Sequence, residues 1–321
     1  MHKKILHSTL SVLALITVPV LFVSCGNDDD DSTGGTGQSN NVNANIAGLD
    51  QSVSGYEIPH LNSKYDYICH KLSNGDVNYS LEYDRNLLHA RWVAYTYNGT
   101  NAKKNYSYRT DAWRGEPYYD SNKAYQLATG TFPNGYNRGH IVGSAERYFS
   151  KEANEQTFYM SNMTPMNGAF NSTYWGEIED KARDIWGHGV IDKNSSFYQG
   201  TLYIVKGGSL QQTASVSDPI LTYITVKNTL GHDMQMPVPR YYFMACLFVS
   251  KNGTMKSIGF WLEHKDFKNS TASALQTMRR NAACSIDELE KKTGYDFFCN
   301  LPDNAEEIVE SSFNISQWPG I

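Results

Sequence analysis

The stretch Tyr136-Asn137-Arg138-Gly139-His140 decides how this chain is read, together with two segments downstream of it. The first is Thr157-Phe158-Tyr159-Met160-Ser161-Asn162-Met163-Thr164-Pro165, and the second is Asn171-Ser172-Thr173-Tyr174-Trp175-Gly176-Glu177-Ile178-Glu179. Gly139 lets the backbone turn tightly beside His140 and leaves the imidazole accessible. Arg138 supplies a fixed cation whose fork matches phosphate. Histidine, with an unperturbed pKa of about 6.5, serves as a general base near neutral pH. Taken alone, the tripeptide equally fits a loop histidine beside a surface arginine, because short motifs recur by chance. Asn171, Trp175 and Glu179 stand at i, i+4 and i+8, drift only about 40° per step, and so share one broad helix face. A carboxamide oxygen and a carboxylate suit a hydrated Mg²⁺, which keeps most of its waters. Asn171 also fits as a helix N-cap, and Glu179 as a solvated helix residue.

Around these segments, apolar, β-branched and aromatic runs predict strands over 91–97, 202–205, 241–249 and 258–262. Helical patterns cover 151–158, 171–186, 270–282 and 285–292, where Ser285 and Glu288 have capping-box spacing and Gly294 can end the helix. Strands and helices mix without regular βαβ alternation, which predicts an α+β fold with a mainly antiparallel central sheet and flanking helices. Trp175 is expected to pack in the core, as aromatics at helical spacing usually do. Lys103, Lys104, Arg109 and Arg114, interleaved with Tyr106, Tyr108 and Trp113, fit either a nucleic-acid groove or an ordinary exposed strand. His60, His70, His89, His188, His232 and His264 show no metal-binding spacing and read as packed or surface histidines.

Taken together, the segments resemble the DNA/RNA non-specific endonuclease family. That family carries an Asp-Arg-Gly-His motif, then a TF(Y)-x-SN-x-x-P segment, then N-x-x-x-W-x-x-x-E on a helix; Asn137 to His140, Thr157 to Pro165, and Asn171, Trp175 and Glu179 stand at these positions. Upstream, Arg109-Thr110-Asp111-Ala112-Trp113 looks like the family's arginine segment, and Ser285 to Phe298 looks like its C-terminal helix-turn. The resemblance implies a ββα-metal site and Mg²⁺-dependent hydrolysis of DNA and RNA, sugar-non-specific and leaving 5′-phosphate ends, with Mn²⁺ as an alternative metal. By the same resemblance His140 is the general base, Asn171 the direct metal ligand, and Glu179 acts on the metal through water. Arg138 and Arg109 stabilise transition-state charge, and Asn162 holds the site by hydrogen bonds. Asn137 replaces the family's aspartate. That departure is the one sequence feature favouring an alternative, a catalytically impaired nucleic-acid-binding surface lipoprotein of the same fold. A glycan-binding lipoprotein is a weaker reading resting on aromatic content.

The N-terminus reads as a targeting segment. Lys3 and Lys4 precede an interrupted apolar run over 5–23, and Ser24-Cys25 resembles a bacterial lipobox. Residues 1–24 are thus expected to be a lipoprotein signal peptide, and 25–50 a lipidated Cys25 with a flexible acidic, Gly-, Ser- and Asn-rich tether. Residues 51–321 are expected to form the endonuclease domain that the resemblance implies. The expected location is the outer membrane, periplasmic or cell-surface facing, with membrane contact only through the lipid. Cys69, Cys246, Cys284 and Cys299 remain, an even number in an exported chain, so two disulfides are expected; the closest pair in sequence is Cys284–Cys299, leaving Cys69 with Cys246.

The formal net charge of −5 argues against a protein that coats nucleic acid. Its distribution says more. Residues 49–300 hold 26 basic against 25 acidic side chains, while 85–150, which contain Arg109, Arg138 and His140, hold nine against four. The acidity sits at the two ends, and the segment expected to meet phosphate is basic. That predicts local, salt-sensitive binding.

Overall fold

A computed structural model describes residues 41–45, 51–266 and 271–321. The expected signal peptide, Cys25 and the acidic run Asp28 to Asp31 lie outside the described residues. Among those described, no helix is long and apolar enough to cross a membrane.

The strands of the main sheet are β1 (Asp66–Lys71), β2 (Val77–Asp84), β3 (His89–Tyr97), β6 (Thr201–Gly208), β9 (Tyr241–Val249), β10 (Met255–Glu263) and the short β11 (Ala283–Cys284). They follow one another across the sheet in that order, each antiparallel to its neighbours. Two further pairs stand apart: β4 (Asn137–His140) with β5 (Met163–Met166), and β7 (Ile220–Lys227) with β8 (Asp233–Pro239). The α+β, mainly antiparallel architecture is therefore the one expected.

Both faces of the main sheet are covered, so its central strands read as unbroken apolar runs. Strand alternation divides β9 accordingly. Tyr242, Met244, Cys246 and Phe248 enter one core layer; Phe243, Ala245 and Leu247 enter the other. Each such large apolar side chain stabilises the fold by about 1.5–3 kcal/mol when fully buried. The first layer also holds Ile141, Met163, Met166, Phe170 and Trp175, and so carries the β4–β5 pair. The second holds Ile286, Leu289, Phe297 and Val309, and so carries α4 (Ile286–Thr293) and α5 (Asp303–Glu310). The remaining α-helices are α1 (Lys151–Gln156), α2 (Gly176–Asp180) and α3 (Ala272–Ala282). Ser285 Oγ caps α4 by accepting from the Glu288 amide at 3.2 Å, and Gly294 ends it at φ 70°, as its position suggested. α5 had no counterpart among the expected elements.

Two expectations are corrected. The four cysteines Cys69, Cys246, Cys284 and Cys299 are free thiols. Cys69 on β1 and Cys246 on β9 are separated by four strand steps, about 19 Å at the usual spacing, whereas a disulfide requires Cα atoms within about 7 Å. Cys284, on β11, pairs with Gly259 of β10, while the Cys299 thiol takes a bond from Asn45 Nδ2 at 3.5 Å and lies 3.6 Å from the Ile58 carbonyl. Separate packing environments, not loop closure, decide these positions. Second, residues 41–45, expected as tether, are docked on the domain. Asn41 Nδ2 donates to the Cys299 carbonyl at 2.9 Å, the Asn45 amide to Asn300 Oδ1 at 3.0 Å, and Leu61's amide to Asn45 Oδ1 at 2.9 Å. Polar side chains anchor this strip where apolar ones are lacking.

Free thiols predict that reductant leaves the thermal midpoint unchanged. A fall of several degrees on adding dithiothreitol would reveal a disulfide and refute the assignment.

Candidate active site

His140 is presented by the β4–β5 pair. Its register sets Asn137 opposite Met166, Arg138 opposite Pro165, Gly139 opposite Thr164 and His140 opposite Met163. Glycine is required at 139 by close approach: a Cβ there would stand 2.5 Å from Met166 Cγ and Sδ. Strand alternation puts Arg138 and His140 on one face and Asn137 and Gly139 on the other. Asn162 locks the end of this pair. Buried, it receives Val142's amide on Oδ1 at 2.9 Å and donates Nδ2 to the carbonyls of Val142 at 3.0 Å and Thr157 at 2.8 Å, while its own carbonyl takes Ile141's amide at 2.9 Å. The role expected for Asn162 is thus a structural one, in hydrogen bonds that replace water for a buried turn.

The arginine segment is fastened alongside. Arg114's amide donates to the Phe158 carbonyl at 3.4 Å and Met160's amide to the Arg114 carbonyl at 2.9 Å. Buried Asn154 takes Thr110's amide at 3.0 Å. Residues 103–113 form no strand, so of the two readings of this basic, aromatic segment the exposed strand is excluded. Arg109 hydrogen-bonds Asp111 through Nε at 2.8 Å and lies over the Phe158 ring at 4.7 Å. Arg138 donates to the Thr129 carbonyl at 2.8 Å and stacks on Trp113 at 3.6 Å. Trp113 and Phe158 also pack edge-on against His140, at centroid distances of 5.5 and 4.9 Å.

This packing sets the chemistry of the imidazole. Nε2 is buried and makes no hydrogen bond. Burial first, then the Arg109 charge, pull the His140 pKa down to about 3; the Arg138 carbonyl works weakly the other way. His140 is neutral at physiological pH and its free nitrogen can accept a proton.

The helical rod after β5 runs through a wide π-type stretch (Phe170–Trp175), α2 and a second wide stretch (Lys181–Gly187). The regular α-periodicity expected over 171–186 is therefore interrupted. Asn167, not Asn171, caps the rod: its Oδ1 accepts from Ala169's amide at 2.9 Å and its carbonyl from Asn171's at 2.9 Å. His264 fixes this cap by taking Asn167's amide on Nε2 at 2.7 Å, its Nδ1 being bonded to the Pro239 carbonyl at 2.9 Å. The Asn171 carboxamide is half-buried and makes no hydrogen bond to any described residue, which leaves a hard oxygen free. Trp175 is core, stacked on Phe170 and 5.6 Å from Tyr242.

Glu179 is held by Lys206, a residue the sequence reading missed. Lys206 is fully buried on β6 and donates to Glu179 at 2.6 Å and Glu146 at 2.7 Å. Glu146 is also bonded by the Tyr95 hydroxyl at 2.5 Å and the Gly143 amide at 2.6 Å. Burial raises the Glu179 carboxyl to about 7; Lys206 opposes this and the nearby Glu146 charge adds to it. Two carboxylates share one ammonium, so its charge does not fully offset the burial of either. A lysine directly after the apolar run Leu202 to Val205 was the available signal.

A model of the DNA/RNA non-specific endonuclease family matches residues 70–304, and the chain belongs to that family. Similar proteins include a nuclease of Nostoc sp., 28% identical over 236 residues, covering 73% of this chain and 75% of the relative. The mouse mitochondrial nuclease EXOG is 30% identical over 252 residues, 72% of this chain and 58% of the relative. The mitochondrial nuclease of Saccharomyces cerevisiae is 28% identical over 194 residues, 57% and 52% respectively. The chain thus spans three quarters of the first and little more than half of the mitochondrial proteins. A solved structure of an EndoG/EndoGI complex shares the fold, with a TM-score of 0.52, 18% identity, and coverage of 77% of this chain and 89% of that one. Membership of the family makes this chain a non-specific nuclease, a hydrolase with nucleic acid as substrate.

Two outcomes test the geometry. Lys206→Met leaves two buried carboxylates without their cation and is expected to cost about 3–5 kcal/mol in denaturant unfolding at neutral pH; adding Glu179→Gln recovers part of it. A loss under about 1 kcal/mol would show solvated carboxylates. For His140, the Cε1 proton resonance, assigned by its absence in His140→Ala, is expected to stay fixed from about pH 8 to 5, whereas a solvated imidazole titrates near 6.5. Because its folded pKa lies below the unfolded one, the fold binds fewer protons. The stability tied to His140 therefore declines as pH drops from about 6.5 towards 3.

Proposed function

We propose that the protein hydrolyses internal phosphodiester bonds of DNA and RNA without sugar discrimination, dependent on Mg²⁺ or Mn²⁺, and leaves 5′-phosphate ends. One arrangement carries the reading: a neutral His140 with a free, buried Nε2, flanked by the fixed cations Arg109 and Arg138. His140 Nε2 takes a proton from the attacking water. Arg138 and Arg109 neutralise the charge that builds on the phosphate in the transition state. Such a site meets backbone, not base edges, which agrees with a lack of base reading.

The residues present fit a hydrated divalent cation. Asn171 offers an unengaged carboxamide oxygen and would hold it directly; Glu179, kept in place by Lys206, would act through water. Bound there, the metal would supply positive charge to offset the negative charge that builds on the phosphate and the leaving group.

Asn137, which replaces the family aspartate, supports activity and not the binding-only alternative. It is exposed at the start of β4, close to Gly168, where a Cβ would lie 3.4 Å from Asn137 Nδ2. Alternation turns it away from the face that bears His140, so the missing carboxylate is not a direct partner of the imidazole.

Incubation with circular plasmid and with RNA should give Mg²⁺-dependent cleavage that EDTA abolishes. His140→Ala is expected to lose about 10²–10⁴ in rate while DNA binding is kept. Asn137→Asp should change the rate by less than about threefold, as suits a side chain on the opposite strand face. Absence of metal-dependent cleavage across pH 6–9, or full activity in His140→Ala, would sink the proposal.

A further inference from the structure

On the sheet face remote from His140 lies a group of acidic side chains that the phosphodiester chemistry does not use. Asp287 and Glu290 are on α4, and Glu310 ends α5; one carboxylate oxygen from each lies within 4.8 Å of the others. Glu310 is only 5% exposed, and its Oε1 is buried without a hydrogen-bond partner. The charges that bear most strongly on it are Glu290, Glu306, Asp296 and Asp287, all carboxylates. Among the described residues, no lysine, arginine or histidine forms an ion pair with Asp287, Glu290 or Glu310. A second partnerless buried oxygen, Asn43 Oδ1, belongs to a side chain whose Nδ2 donates to Glu306 at 2.9 Å and Asp296 at 3.2 Å.

A buried carboxyl facing like charges is relieved either by a proton or by a cation that displaces the proton. The ligand chemistry selects the cation. Carboxylate oxygens from two helices, gathered within 4.8 Å of one another and open to water, suit the irregular all-oxygen shell that Ca²⁺ accepts, whereas Mg²⁺ demands a near-ideal octahedron at about 2.1 Å. Asp287 and Glu290 are half-buried, so water can reach the group and complete the shell.

We propose that Asp287, Glu290 and Glu310 form a calcium site that fastens α5 to α4, separate from the catalytic centre. The site is structural: the sheet stands between it and His140, and its cation contributes to the fold and not to the reaction. The inference is independent of the nuclease mechanism, since its readouts are binding and melting.

The test uses the purified full chain, stripped with EDTA and titrated with CaCl₂ alone. A hundredfold excess over Kd is expected to raise the melting temperature by about 5 °C, with a calorimetric binding event that survives in Asn171→Ala and disappears in Glu310→Gln. Glu310→Gln keeps the shape and removes a repelling charge, so in EDTA it should melt no lower than wild type. If it does melt lower, Asp287→Asn, at a half-buried position, takes its place and must abolish the response. No response of the wild type up to about 10 mM CaCl₂ overturns the proposal. So does a response that persists in the carboxylate variant, or one that is lost in Asn171→Ala.

Discussion

The buried ammonium of Lys206 ties this molecule together. It rises from a central strand of the sheet and is bonded at once to Glu146, in the turn that follows the histidine strand, and to Glu179, on the rod that follows β5. A charge placed so deep is tolerated only when its partners are fixed in place, so the sheet, the turn and the rod cannot move independently. The polar layer stands beneath His140, near enough that the Lys206 charge adds to the forces holding the imidazole neutral. Trp113 and Phe158 supply the larger part by excluding water from the ring. The same apolar packing that stabilises the core thereby sets the protonation state of the base.

A second chain of bonds positions the rod itself. His264, from the segment after β10, holds Asn167, and Asn167 caps the rod and receives Asn171's amide. Satisfying the first-turn donors with Asn167 frees the Asn171 carboxamide. The widened stretch Phe170–Trp175 then keeps Trp175 in the core beside Lys206. Wide turns of this kind are uncommon and gather at functional sites.

Much of this was legible in the sequence, for identifiable reasons. The strand of 241–249 could be read because a strand covered on both faces is an unbroken apolar run. His140, Arg138 and Asn162 could be read because a chemical motif fixes residue type and order. What escaped depends on long-range contact. Lys206 stands at the end of an apolar run, and only the fold brings Glu146 and Glu179 to it. Asn167 and Asn171 are both plausible caps four residues apart, and the choice is made by His264, which is remote in sequence. The cysteine count invited pairing, yet four strand steps separate Cys69 from Cys246. The strip 41–45 has a tether's composition, and only complementary polar groups around Cys299 and Asn300 hold it.

That strip determines how the molecule is oriented. Asn41 and Asn45 dock beside Cys299 and Asn300, on the side of the sheet that carries α4 and α5, while His140 lies on the other. Whatever is joined to the chain ahead of residue 41 is therefore attached behind the working face. A pull on the N-terminal side is thus borne by the α4–α5 layer before it reaches the strands that align the base.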